Sequence, residues 1–213
     1  MQKLLNHIAF TITTITVVFF LTSCGGGVSS NKYLGELPGI AQKYSQKIDD
    51  LKAELKGSTD IQKSYSLDKE IDNLKDEAEK EIKDYLTNHP ITNIPFEQKA
   101  DYKFTVKEVS VHPTYPTSTS RFQLLAKVKI NENIVNDYGN PPGFARSFFA
   151  YVIAVDKDGN SLTKKPGVFM NATQGPFKAD MDVDIYGSVD GPADMLNFEK
   201  FVFISRDEYD KMK

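Results

Sequence analysis

Aspartates at alternate positions form the most distinct polar group in this chain. Asp180, Asp182 and Asp184 are separated by apolar residues, so on a strand their carboxylates would project from one face about 7 Å apart. Carboxylates at that spacing face water, pair with basic side chains on a neighbouring strand, or bind a cation. Lys127 and Lys129 would supply the basic partners if the two strands are adjacent. We expect a solvated or salt-bridged face, with a weak cation site as the alternative.

A second acidic group matches the start of a calcium-binding loop. Asp156, Asp158 and Asn160 have the spacing of the first three ligands. The motif also requires Gly at the sixth position and Glu at the twelfth, where this chain has Ser161 and Gly167. An Asp-Gly turn explains the same residues through turn chemistry. We therefore predict a turn and no metal ligands in this segment.

Residues for catalysis are few in this sequence. The 213 residues include three histidines and one cysteine, so no internal disulfide or multi-cysteine zinc site is possible. His89 and His112 each precede a proline in an expected loop, without a third metal ligand at a suitable spacing, and we expect both on the surface. No serine-nucleophile motif and no phosphate-binding glycine loop follows the first 24 residues. We predict no catalytic residues, no cofactor and no enzymatic activity.

Aromatic residues in two polar loops are the candidate binding residues. Tyr115 lies in the Pro- and Thr-rich stretch 113–119, and Tyr138 and Phe144 lie among Asn, Asp, Gly and Pro in 136–144. Exposed aromatic rings among such residues suit recognition of a glycan or a protein. The same rings could instead fold over the end of a β domain and cover its core. Nucleic acid is not an expected partner, because the net charge is −3 and no basic cluster is present.

The segment 37–90 has the pattern of two helices. Its apolar residues recur at steps of three and four, Pro38 suits a first helical turn, and Asp60 is a suitable cap for a second helix. We predict an antiparallel helical hairpin that serves as a spacer or as a coiled-coil interaction site. The stripes are Leu37, Ile40, Ala41, Tyr44, Ile48, Leu51 and Leu55, then Ile61, Tyr65 (or Leu67), Ile71, Leu74, Ala78, Ile82 and Tyr85.

From residue 91 to residue 213 the pattern changes to strands. Apolar and polar residues alternate cleanly over 122–130, and the alternation slips near Lys107, which indicates a β-bulge. Six to seven strands without crossover helices predict an antiparallel immunoglobulin-like β-sandwich. Because the chain has no tryptophan and one cysteine, the Cys–Trp–Cys core of true immunoglobulin domains is excluded. The predicted fold class is α+β, a helical hairpin followed by this sandwich.

The amino terminus carries the most specific motif. A basic start is followed by an apolar run from Ile8 to Leu21, about as long as the core of a secretory signal and too short to span a bilayer comfortably. The run ends at Leu21-Thr22-Ser23-Cys24, which resembles the lipobox of bacterial lipoproteins. This resemblance implies a signal peptide over 1–23, cleavage before Cys24, and a diacylglycerol and an acyl chain such as palmitate on Cys24. Residues 24–36 would then form a lipidated, flexible tether.

The lipobox also implies a location. Gly25 stands where an inner-membrane retention signal would have Asp, so the resemblance implies an outer-membrane anchor facing the periplasm or the exterior. The order of lipobox, tether, helical hairpin and sandwich resembles uncharacterised secreted lipoproteins of Gram-negative bacteria, a resemblance of architecture that transfers no activity. We expect a non-catalytic binding or structural module whose partner is an envelope protein or glycan. The alternatives are a carbohydrate-binding accessory lipoprotein and an adhesin or assembly subunit.

Overall fold

The computed structural model describes residues 29–113, 117–134, 149–171 and 176–212. Within these residues the chain forms two long helices, then seven strands and a short terminal helix, so the α+β class is confirmed. The elements are α1 (Leu37–Gly57), α2 (Ile61–Asn88), β1 (Phe96–Gln98), β2 (Phe104–Val111), β3 (Arg121–Ile130), β4 (Phe149–Val155), β5 (Gly167–Met170), β6 (Asp182–Asp190), β7 (Lys200–Ile204) and α3 (Arg206–Lys211). None of the helices among the described residues has the length and apolarity needed to span a bilayer.

The boundary between α1 and α2 lies where the sequence predicts it. The Asp60 carboxylate accepts hydrogen bonds from the backbone N–H groups of Gln62 (2.8 Å) and Lys63 (3.2 Å), which caps the start of α2. Ion pairs connect Lys43 to Glu81 (2.9 Å) and Lys63 to Glu54 (2.8 Å). These pairs place the start of α1 beside the end of α2, so the two helices lie side by side in opposite directions.

The start of α1 and the end of α2 are both attached to the β body. The buried residues Leu37 and Ile40 of α1 and Ile82 of α2 belong to the same hydrophobic core as the strands. At the opposite end, Ile61 and Tyr65 are 83% and 72% exposed. The helices therefore form an arm that leaves the β body and returns to it. The expected roles of the helices, a spacer or a coiled-coil interaction site, stay predictions.

Asn31 fixes the chain to the β body just before α1. Its side-chain Nδ2 donates to the carbonyl oxygens of Leu196 (3.0 Å) and Phe198 (2.9 Å). Its Oδ1 accepts from the backbone N–H groups of Tyr33 and Leu34. A buried amide with all these bonds formed holds its segment in one position, because each broken bond would leave a buried polar group unsatisfied.

The strands form one mixed sheet in the order β1-β7-β4-β5-β6-β3-β2. The β1–β7 pair is parallel and the other pairs are antiparallel. The predicted antiparallel immunoglobulin-like sandwich is therefore not confirmed, since the sheet curls almost into a barrel. The bulge in β2 is confirmed, because the register with β3 shifts between Val106 and Glu108.

A glutamine side chain closes the gap between the two ends of the sheet. The Gln98 Oε1 accepts from Val106 N (2.8 Å), and its Nε2 donates to the Phe104 carbonyl (3.0 Å). The side-chain amide thereby pairs with β2 as a neighbouring strand would. Further along β2, Ile94 N donates to the Val109 carbonyl (2.8 Å) and Val111 N to the Ile91 carbonyl (3.0 Å). The segment 91–98 therefore pairs the outer edge of β2.

Large apolar side chains fill the interior of this closed sheet. Tyr102 lies at its rim, where its ring stacks on Phe104 with centroids 4.8 Å apart. The Tyr102 hydroxyl donates to the Ile204 carbonyl and accepts from Tyr151 N (3.0 Å). Burial raises the pKa of Tyr102 to about 12. The fully buried phenylalanines are Phe104, Phe122, Phe169, Phe198, Phe201 and Phe203.

Removing the Gln98 amide should open the closure. We expect Gln98→Ala to lower the free energy of unfolding by about 1–3 kcal/mol, because Val106 N and the Phe104 carbonyl lose their partner. Gln123→Ala is the matched control, since the side-chain amide of the half-buried Gln123 makes no hydrogen bond among the described residues. Urea unfolding of both variants measures the difference, and an equal, small loss for both would show that the amide does not close the sheet.

Alkaline pH should destabilise the fold through Tyr102. The folded state holds the neutral phenol up to a pKa of about 12, whereas the unfolded chain ionises it near pH 10, so stability is lost between pH 10 and pH 12. The loss is at most about 2 kcal/mol, because the ring is partly exposed. Unfolding free energies measured across this range should fall more steeply for the wild type than for Tyr102→Phe. Equal slopes would contradict the assignment.

Candidate ligand-binding cleft

The outer face of β2 and β3 forms the floor of a cleft. Successive outward-facing residues of β2 lie opposite those of β3, so Glu108 pairs with Lys127 and Ser110 with Leu125. His112 follows directly after β2 and lines the same cavity. On β3, this outer face carries the polar residues of the alternation that the sequence shows, together with Leu125.

The wall of the cleft comes from the end of α2 and the segment after it. The Val111 N–H donates to the Ile91 carbonyl (3.0 Å), which holds this segment against β2. The space enclosed between wall and floor is about 550 Å³, within the range of small-molecule sites. The lining residues of the wall are Lys83, Leu86, Thr87, Pro90, Ile91 and Thr92.

The surface of the cleft is mainly apolar, with a few polar groups. Leu86, Ile91, Val111 and Leu125 contribute aliphatic carbon, and Ser110 Oγ is turned towards the Leu125 carbonyl at 3.4 Å. An apolar lining with few polar groups is the usual composition of a ligand site, because apolar burial supplies affinity and the polar groups orient the ligand.

Charges in the cleft are unequally compensated. The Lys127 ammonium lies 3.1 Å from the Glu108 carboxylate, so this pair is close to neutral. Asp184 lies opposite Lys127 on β6, the strand that pairs with the other edge of β3. The ammonium of Lys83 forms no ion pair or hydrogen bond with the described residues, although Glu79 lies one helical turn before it. Lys83 is thus an uncompensated positive charge on the wall.

His112 is half-buried in this cleft, contrary to the expected surface position. Its ring packs edge-on against Tyr186 with centroids 5.7 Å apart. Burial lowers the pKa of His112, and the Asp184 carboxylate opposes that shift. No local sequence pattern indicates this position, because the other side of the cavity comes from a helix more than twenty residues earlier in the chain.

The alternating aspartates lie beside the cleft floor. β6 pairs with β3, so Asp182 is opposite Lys129 and Asp184 opposite Lys127, and the condition under which these lysines would be the basic partners is met. Asp180 does not lie on the strand as predicted. It lies in the turn before β6 with a φ of 67°, and its carboxylate is 2.9 Å from the Lys129 ammonium.

Neither acidic group is arranged as a cation site. In the part of the chain that the structure describes, no three His, Cys, Asp or Glu side chains converge as metal ligands would. The Asp156 carboxylate accepts hydrogen bonds from Asp158 N and Asn160 N, both at 2.9 Å. The Asn160 side-chain amide also donates to this carboxylate, and this bond makes the largest contribution to the lowered pKa of Asp156. Together the bonds close a turn in which Gly159 has a φ of 84°. The calcium-like spacing is therefore turn chemistry.

The remaining candidate residues lie outside the described residues. These are Tyr115, Tyr138 and Phe144 of the aromatic loops and Cys24 of the lipobox. Pro113, at the start of the first loop, lines the cleft. Recognition of a glycan by the three aromatic rings accordingly stays a prediction.

Comparison with known protein families, curated proteins and solved structures finds no match to this chain.

The position of His112 leads to a measurable titration. We expect its ring to titrate below the usual pKa of histidine, and Asp184→Asn to lower the pKa further, because the carboxylate stabilises the protonated ring. Asp182→Asn is the control, since this carboxylate lies two residues earlier on β6, farther from Tyr186, which contacts the His112 ring. NMR titration of the His112 ring measures all three pKa values. An ordinary pKa in the wild type, or equal shifts in both variants, would contradict the described surroundings.

Proposed function

We propose that this protein is a lipid-anchored lipoprotein of the bacterial outer membrane that binds a ligand without catalysis. The anchor is supported by the apolar run that ends in Leu21-Thr22-Ser23-Cys24. Lipids on Cys24 would hold the protein at the membrane, since several acyl chains bind a bilayer far more firmly than one.

The observation that carries the binding role is the cleft between α2 and the β2–β3 face. Its volume of about 550 Å³ and its largely apolar lining suit an organic ligand. Its carboxylate, Glu108, is paired with Lys127, which leaves it poorly placed to act as a general acid. Binding without chemistry is therefore the role that this arrangement supports best.

The anchor and the cleft would lie at the same end of the β body. The Tyr85 hydroxyl near the end of α2 accepts from Glu36 N (3.0 Å), just before α1. Leu86, which follows Tyr85 on α2, lines the cleft. The seven residue steps from Cys24 to Asn31 reach at most about 25 Å when extended. A lipid on Cys24 would thus keep the cleft close to the bilayer surface.

A second candidate function is an adhesin or assembly subunit, favoured by the tip of the helical arm. Ile61 and Tyr65 lie one turn apart on α2 and are 83% and 72% exposed. Exposed apolar side chains in adjacent positions are more common at contact surfaces than elsewhere. Farther along the predicted apolar stripe of α2, Leu67 and Ile71 are buried, so the exposed apolar surface is limited to the tip of the arm.

Replacing the lipidated cysteine tests the anchor. We expect Cys24→Ala to release the protein from the membrane fraction, because the acidic chain with its net charge of −3 has no basic cluster to bind an anionic surface. Ser29→Ala is the matched control in the tether and should stay in the membrane. Fractionation followed by immunoblotting measures the distribution. If Cys24→Ala remains in the membrane after a salt wash, the lipid anchor is wrong.

A further inference from the structure

We propose that the cleft binds an anionic amphiphile, with the apolar chain along the walls and a carboxylate or phosphate head group at Lys83. This inference rests on the proposed binding role of the cleft and specifies the chemistry of its ligand. The recognised features are a single hydrocarbon chain and one negatively charged head group.

The apolar part of the ligand is indicated by the two facing sides of the cleft. Leu86 and Ile91 lie on the wall and Leu125 on the floor. A hydrocarbon chain between them would remove apolar surface from water on both sides, at about 25 cal/mol per Å². The ionisable groups of the floor lie at its two ends, with Glu108 and Lys127 at one and His112 at the other, and Ser110 lies between them beside Leu125.

The charge of the head group is indicated by Lys83. The charges of Glu108 and Lys127 compensate each other at 3.1 Å, and Asp184 lies opposite Lys127 on the neighbouring strand β6. Lys83 is exposed and has no ion-pair partner among the described residues, so its ammonium is available to an anion at the mouth of the cleft. A cationic head group would be repelled by Lys83. Glu108, the carboxylate among the lining residues, is already paired with Lys127 and would not offset that repulsion.

The position of the cleft indicates where such a ligand is found. Tyr85 connects the start of α1 to the end of α2, so the cleft lies beside the attachment of the proposed tether. An amphiphile held in a bilayer surface would reach the opening over a short distance. A free fatty acid has one such chain, and an anionic phospholipid would place one of its two acyl chains in the cleft, with the anionic head group at Lys83 in both cases.

Photo-crosslinking in a bilayer tests this proposal with the full lipidated chain. The protein is placed in phosphatidylcholine nanodiscs with diazirine-labelled twelve-carbon probes that differ in the head group: a carboxylate, an alcohol and an amine. A fourth sample contains diazirine-labelled phosphatidylglycerol. Mass spectrometry of the peptides that contain Leu86, Ile91 and Leu125 measures occupancy of the cleft, and peptides from the exposed tip of the arm provide the background.

We expect the carboxylate to label the cleft peptides about fivefold more than the alcohol, the factor for one charge pair about 4 Å apart in water. The amine should label them least. Lys83→Gln should reduce labelling by the carboxylate to the level of the alcohol. Lys69→Gln, which removes an exposed lysine about four turns earlier on α2, should leave it unchanged. Labelling by phosphatidylglycerol and not by the free carboxylate would assign the ligand as a phospholipid.

The other outcomes separate the two proposals. Equal labelling above background by all three head groups, strongest labelling by the amine, or labelling by the carboxylate that Lys83→Gln leaves unchanged would overturn the anionic ligand and leave a binding cleft. Background labelling by every probe would overturn both the ligand and the proposed binding role. Thermal unfolding of Lys83→Gln checks that the exposed substitution leaves the fold intact.

Discussion

The pairing of segment 91–98 with β2 is the constraint on which the rest of this structure depends. β2 is the last strand of the sheet, and its outward N–H groups would face water without a partner. Val106 N donates to the Gln98 side chain and Val111 N to the Ile91 carbonyl. A strand edge protected in this way does not recruit other chains, and the sheet stays closed around its phenylalanine core.

The same segment creates the cleft. Because Ile91 is bonded to Val111, the end of α2 is held over the outer face of β2 and β3. Asn31 fixes the start of the arm to the β body, and the Tyr85 hydroxyl bonds to Glu36 N. The two ends of the arm are therefore held at neighbouring points, and the wall of the cleft has a fixed position relative to its floor.

Local patterns predicted the elements of this fold well and their arrangement poorly. The alternation in β3, the bulge near Lys107 and the Asp60 cap are properties of neighbouring residues, and all three are present. The parallel β1 has three residues, too few to show a period, and without it the strands suggested a sandwich. His112 reads as a surface residue because Tyr186, which its ring contacts, and α2, which lines the same cavity, are distant in sequence, and such long-range packing leaves no local signal.

Amide hydrogen exchange tests the central claim, that segment 91–98 closes the sheet on the outer edge of β2. The amide protons of Val106 and Val111 point to that edge, where a free strand would exchange them rapidly. The account predicts that both are protected to a degree comparable with the amides of the central strands β4 and β7. Rapid exchange at Val106 and Val111, with slow exchange in β4 and β7, would show that the edge is open and would contradict the closure and the cleft built on it.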